Sequence, residues 1–266
     1  MGEIKVRDVT ESNIEDVFRV CSHGKLDDPL QQKGIELRRS WLRRMLRDNG
    51  SCAKIAYLDG APVAQLLFYT EGSAPFIPQP RRGVVLLRCV YNPFKEAQGK
   101  GVSTALLRSL VEECKGDPQY LKGVKCRFIA SEAFNTGEGT PMEKFYASNE
   151  FVKKNGEMAL LINGEYAPPV KLEPHPNESD KGQAIVIYNP TCEYSYPSAM
   201  RARDLLNGIY PTLGVKLIDQ WEDPADSVRL GNHWLTVKGD QIISGWYERE
   251  SMLSEVAKAV EKGVQR

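Results

Sequence analysis

The chain has 266 residues, enough for one large or two ordinary domains, and its 35 Lys and Arg balance its 35 Asp and Glu. That neutrality argues against nucleic acid or an acidic membrane surface as the main partner, while 41% hydrophobic residues suffice for a sizeable core. No apolar run has spanning length, the opening residues lack the apolar region of a secretion signal, and the six cysteines form neither a Cys-x-x-Cys pair nor a zinc-ligand spacing with His. The expectation is a cytoplasmic protein with no membrane segment, no metal and reduced, buried thiols.

Ile4–Val9 reads as a strand, and Ser12 or Asn13 as the cap of a helix carrying Ile14, Val17, Phe18 and Cys21. Ile35–Arg47 reads as a second helix, with Leu37, Trp41, Leu42, Met45 and Leu46 as its apolar stripe. Its Arg38, Arg39, Arg43, Arg44 and Arg47 read as a solvated face rather than an anion site. Cys52–Leu58 and Pro62–Tyr69 are strands joined through Asp59-Gly60, a hairpin signal. The Pro-, Gly- and Ser-rich Glu71–Arg82 is a loop, and Val84–Val90 a buried strand. Val124–Ser131 is the next strand. Thr140-Pro141-Met142-Glu143 carries a Thr cap, a Pro at the first helical position and a capping-box Glu. Ala159–Ile162 closes this part as a strand. Residues 164–183 hold four prolines between Gly164 and Gly182 and read as a linker. Beyond it the pattern restarts: strand Ala184–Tyr188, helix Ser198–Ile209, strand Val215–Gln220, hairpin Trp234–Val237 with Gln241–Ser244, and helix Glu250–Lys262.

Gln98-Gly99-Lys100-Gly101-Val102-Ser103-Thr104 follows the buried strand and opens a helix with Ala105, Leu106, Leu107, Leu110, Val111 and Cys114 on its apolar face. A Gly-rich turn of this kind aims unpaired N–H groups at one point, where the helix dipole is also positive. Its natural ligand is a phosphate or pyrophosphate. A Walker-type loop is excluded because Gly101 is followed by Val102 rather than Lys. A dinucleotide fold places its turn near the first strand, whereas this one follows several.

Residues 1–163 resemble the GNAT superfamily of acetyl-CoA-dependent N-acetyltransferases. The family's Gln/Arg-x-x-Gly-x-Gly/Ala signature stands here as Gln98–Ser103, with Ser in the last place. Its Phe/Leu-Tyr-x-x-x-Gly-Phe signature stands as Phe145–Phe151, with Glu150 in place of Gly. The resemblance implies an α/β (α+β) fold with a mixed central sheet and acetyl-CoA as co-substrate. It implies that Cys89 and Val90 pair with the pantetheine arm, with the Val90 N–H as oxyanion donor, and that Gln98–Thr104 hold the pyrophosphate. Tyr146 becomes the acid that protonates the leaving thiolate, a phenol being protonated at neutral pH. Many members carry an Asn where Gly139 stands, a role that Asn135 would take over. Glu132 and Glu71 are the candidate bases, each acting through water.

Ala184–Ser195 resembles the start of a thioredoxin or glutaredoxin fold, with strand, turn, Cys192-Glu-Tyr-Ser195 and helix, and the later strand, hairpin and helix up to residue 266 fit it too. The arrangement is similar to the YoaP-like domain that follows GNAT domains in some bacterial and archaeal proteins. One Cys stands where the family has a dithiol, and no proline precedes the strand at Trp234. Cys192 at a helix start is a candidate reactive thiol. The expected activity is acetyl transfer to a primary amine of a small molecule or peptide, by a monomer or oligomer. Two rivals remain: an acyl-CoA sensor or partner-binding protein, and a redox-linked enzyme using Cys192.

Overall fold

The computed structural model describes residues 2–133, 140–246 and 248–262. The chain divides into two compact units. Met1–Asp28, Arg39–Ala74 and Gln79–Pro169 make the first, and Pro29–Arg38, Pro75–Pro78 and Val170–Arg266 the second. The break falls inside the Pro-rich stretch, and two short pieces of the N-terminal half group with the second unit.

The first unit is built on a seven-stranded sheet. Its strands are β1 (Ile4–Asp8), β2 (Ala53–Leu58), β3 (Ala61–Thr70), β4 (Val84–Tyr91), β5 (Phe128–Ser131), β6 (Val152–Lys154) and β7 (Glu157–Leu161), in the order β1-β2-β3-β4-β5-β7-β6. Neighbours are antiparallel except β4 and β5, which are parallel. The helices are α1 (Ile14–Cys21), α2 (Pro29–Asn49, in this unit from Arg39 onward), α3 (Val102–Lys115) and α4 (Met142–Ala147). Strand alternation sends Ala56, Leu66, Phe68, Val85, Leu87 and Ile129 to one face, where Val102, Leu106, Leu107 and Leu110 of α3 close the core. On the opposite face the Tyr57 hydroxyl donates to Asp16 of α1 at 2.6 Å, and Tyr69 meets Trp41 of α2 edge-on at 6.0 Å. Tyr57 is pushed up to about 12, by burial first and then by the Asp16 carboxylate.

Several local expectations are corrected. The strand expected over Val124–Ser131 begins only at Phe128, because the Val124 N–H turns back to Leu121 O and the Arg127 N–H goes to Gly83 O. The closing strand is one arm of a hairpin, β6–β7, turned by Asn155-Gly156 with both residues at positive φ, as a type I′ turn requires. Thr140 does not cap α4: Pro141 occupies the cap position and no side chain bonds there. The arginines of α2 are not one solvated face. Arg39 pairs with Glu15 and Arg43 with Glu11, while Arg38 is 2% exposed.

Beneath the sheet, on the face away from α3, the loop between β3 and β4 is held by a buried charge cluster. Arg81 donates to Glu71 and to Glu157 at 2.5 Å each and to Ala167 O at 2.7 Å, with its guanidinium 5.2 Å from the Phe128 ring centre. Burial works against the Arg81 charge, but the bonds to Glu157 and Glu71 outweigh it and raise its pKa.

The second unit has a four-stranded sheet of β8 (Gln183–Tyr188), β9 (Gly214–Asp219), β10 (Leu235–Val237) and β11 (Asp240–Gln241), in the order β11-β10-β8-β9. β8 and β9 are parallel and joined through α5 (Ser195–Ile209), and β10 is antiparallel to both β8 and β11. Ala199, Ala202 and Leu206 of α5 and Met252, Val256 and Ala259 of α7 (Arg249–Lys262) cover one face. Ile185, Ile187, Ile218 and Leu230 cluster separately. A short helix, α6 (Pro224–Arg229), was not expected; its proline in the first turn is the signal that marks it. The second arm of the hairpin is Asp240–Gln241 rather than Gln241–Ser244. Arg38 forms an ion pair with Glu193, both almost fully buried. A Cβ on Gly34 would lie 1.9 Å from Glu193 O, so glycine permits that close approach.

Candidate active site

The site begins where two parallel strands part. β4 pairs with β5 through Val84–Phe128, Val85–Ile129 and Leu86–Ala130, while β4 itself runs on to Tyr91. Against β3 the register slips: Leu67 pairs with Cys89 but Phe68 with Leu87, leaving Arg88 as an extra residue. A bulge of this kind bends its strand and increases the local twist. Ser131 Oγ donates to Leu87 O at 2.7 Å and closes the narrow end of the resulting fork. The β4–β5 register ends at Leu86–Ala130, short of the end of β4 at Tyr91. Consecutive strand residues direct their N–H groups to opposite sides, so one of Cys89 and Val90 presents its N–H to the open side. Val90 pairs with Leu66 and packs toward the α3 core, whereas Cys89 pairs with Leu67 and is half-buried.

The chain then reaches the Gly-rich turn. Gly99 and Gly101 have φ of 72° and 80°, a conformation glycine adopts without strain, and a Cβ at either would meet nothing within 4 Å. Ala105 N–H to Gly101 O, at 2.9 Å, is the first bond of α3. Among the described residues, the N–H groups of Gly99, Lys100, Gly101, Val102, Ser103 and Thr104 make no hydrogen bond, and they stand at the positive end of the helix. The cradle is therefore one residue shorter than expected at its start. The Gln98 N–H is taken by the Phe94 and Lys95 carbonyls, and the Gln98 side chain donates to Asn92 O.

Tyr146, on α4, is fully buried beside the fork, and its hydroxyl has no hydrogen-bond partner among the described residues. Burial raises its phenol well above the ordinary range and Cys89 adds to this, while Ser131 and Arg88 pull in the other direction. A buried, unpartnered hydroxyl is costly and calls for an explanation at a functional position. Glu132, just past β5, is 74% exposed, and its Oε2 lies 3.8 Å from Arg88 Nη1. Glu71, the other candidate base, is instead buried in the Arg81 cluster. Asn135 lies outside the described residues. Arg88 was missed: nothing in VVLLRCV marks its arginine as the bulged residue.

In the second unit Cys192 is exposed, in a turn preceding α5. Ser195 is engaged elsewhere, its Oγ accepting from the Asn189 N–H at 2.8 Å. Desolvation, with Glu193 next, raises the Cys192 thiol above its ordinary value, outweighing Arg38 and the helix-start N–H groups. Because the thiolate is the reactive form, iodoacetamide labelling of Cys192 should reach half its maximal rate at a higher pH than an unperturbed cysteine. Peptide-resolved labelling from about pH 7 to 10 checks this, and a midpoint at or below the ordinary thiol value contradicts it. Among the described residues no group of three or more His, Cys, Asp and Glu is placed to hold a metal ion, and no helix is long and apolar enough to cross a membrane.

No protein family and no curated protein matches the chain. Solved structures do. A GNAT family acetyltransferase from Brucella melitensis in complex with acetyl-CoA matches at 15% identity, over 64% of this chain and 95% of that one, with a TM-score of 0.42. PaiA N-acetyltransferase from Thermoplasma acidophilum in complex with coenzyme A matches at 12% identity, over 59% and 96%, with a TM-score of 0.40. Ard1 from Thermoplasma volcanium matches at 14% identity, over 60% and 97%, with a TM-score of 0.40. Likenesses this distant carry no conclusion about what this chain does.

Proposed function

We propose that the first unit is an acetyl-CoA-dependent N-acetyltransferase of the GNAT type. One observation carries the reading: the bulge at Arg88 opens β4 from β5 directly before a helix-start anion cradle, with the buried Tyr146 hydroxyl beside the opening. The open edge of β4 suits an amide-bearing arm, and the N–H groups of Gly99–Thr104 suit a pyrophosphate. Acetyl-CoA supplies a thioester carbonyl that an amine attacks, forming the C–N bond and breaking C–S. The N–H at Val90 polarises the carbonyl oxygen, Tyr146 gives its proton to the sulfur, and Glu132 takes the surplus amine proton through water. The Tyr146 phenol, kept protonated by burial, is suited to give a proton rather than to accept one. We expect acetyl-CoA to bind at micromolar concentration by calorimetry, with S-acetylpantetheine, which keeps the thioester arm but lacks the pyrophosphate, failing to compete. No heat and no competition from intact CoA would remove the reading.

For the second unit we propose a thioredoxin-like, YoaP-like module. The strand order β11-β10-β8-β9, with the α5 crossover between parallel β8 and β9, supports that topology.

A further inference from the structure

The Arg88 side chain sits in the bulge itself, 30% exposed, with the Glu132 carboxylate as its charged neighbour. A guanidinium carries five donors. Among the described residues the Arg88 side chain makes no hydrogen bond, and Glu132 Oε2, at 3.8 Å, is beyond hydrogen-bond range. Leu87 packs toward α3, so strand alternation puts the next residue, Arg88, on the other face of the sheet, the face of Tyr69 and its edge-on neighbour Trp41.

The two faces of the fork differ in what they offer. The anion cradle belongs to α3, so an acyl donor held there enters from the α3 face. The attacking amine must then come from the other face, where Arg88 and Glu132 stand. Arg88 is two residues from Val90, the proposed oxyanion donor, so a charge on the acceptor near its nitrogen falls within the guanidinium's reach. A second ammonium there meets repulsion. A carboxylate meets a planar fork of donors that fits it in two-point fashion. Glu132, on the same side, complements the amino end of such a molecule.

Resting on the acetyltransferase reading, we infer that the acceptor is an amine bearing a carboxylate within a few bonds of its nitrogen, a free amino acid in chemical class, with Arg88 as the residue that recognises the carboxylate. Polyamines and lysine side chains, which lack that carboxylate, are excluded by the same charge.

The test uses matched pairs of acceptors that differ only in the carboxylate: phenylalanine with phenethylamine, tyrosine with tyramine, lysine with cadaverine. The full chain should acetylate the amino acid of at least one pair at least about tenfold better in kcat/KM than its decarboxylated partner. Arg88→Gln should bring that ratio to within about threefold while leaving acetyl-CoA affinity by calorimetry unchanged, and Arg88→Lys should restore part of it. The ratio is the decisive readout, because a change in folding or in the Tyr146 acid scales both members alike. A preference for the decarboxylated partners, a ratio that Arg88→Gln does not move, or bound acetyl-CoA with no turnover of any amino acid would each overturn the inference and leave the acetyl-CoA reading standing. Failure to bind acetyl-CoA would remove that reading and this one together.

Discussion

Tyr146→Phe should lower kcat by about 10²- to 10³-fold, the range a positioned general acid supplies, with acetyl-CoA affinity nearly unchanged. The hydroxyl is the only group removed. It is fully buried and has no hydrogen-bond partner among the described residues, so its loss strands no polar atom among them. The variant should therefore melt within a few degrees of the parent, or above it, separating the loss of turnover from any loss of fold. A leaving thiolate that takes its proton from water instead would leave kcat within about threefold of the parent, and Tyr146 would then be a packing residue. The pH profile adds a sign. Burial raises the phenol, so Tyr146 stays protonated across neutral pH, and any loss of rate from its ionisation belongs on the alkaline side, above the ordinary tyrosine range.

Arg81→Met should destabilise the first unit by about 3–5 kcal/mol, because it leaves the Glu71 and Glu157 carboxylates buried without their counter-charge. At roughly 2–4 °C per kcal/mol for a unit of this size, the melting temperature should fall by about 6–20 °C. The side-chain bonds to Glu71, Glu157 and Ala167 O are lost together, while the Arg81 N–H bond to Glu71 at 2.7 Å stays. Replacing Glu71 and Glu157 by Gln in the Arg81→Met background should recover much of the loss, because neutral amides tolerate burial better than carboxylates. Thermal melts of the single and triple variants measure both effects. A shift under about 2 °C for Arg81→Met would show that water reaches the cluster and screens it. Glu71 thus has a structural task, although its place at the head of a Pro-rich loop made it a candidate base. A sequence shows a carboxylate and its neighbours in the chain, and Glu157 is too distant along the chain for the pairing to be read.

Short-range features were legible. The Asp59-Gly60 turn, the apolar stripe of α3 and the positive-φ glycines of the anion cradle each depend on residues within a few positions of one another. The hairpin at Asn155-Gly156 was equally legible and was overlooked. The supposed cap at Thr140 shows the limit of local rules: a capping box needs a backbone geometry that Pro141, at φ −52° and ψ 133°, takes for itself.

What the sequence by itself determined is most of the order of strands and helices, the Gly-rich turn that opens α3 and the aromatic signature holding Tyr146. Patterning, turn chemistry and helix starts are local properties of the chain. The tertiary structure alone decided that β4 slips by one residue against β3, that Arg88 is therefore the extra residue beside the opening, and that Arg38 is buried on Glu193 rather than solvated. The physical reason is the same in each case. Register and burial are set by partners far away in the chain, and a single residue's shift in pairing changes which side chain meets the site.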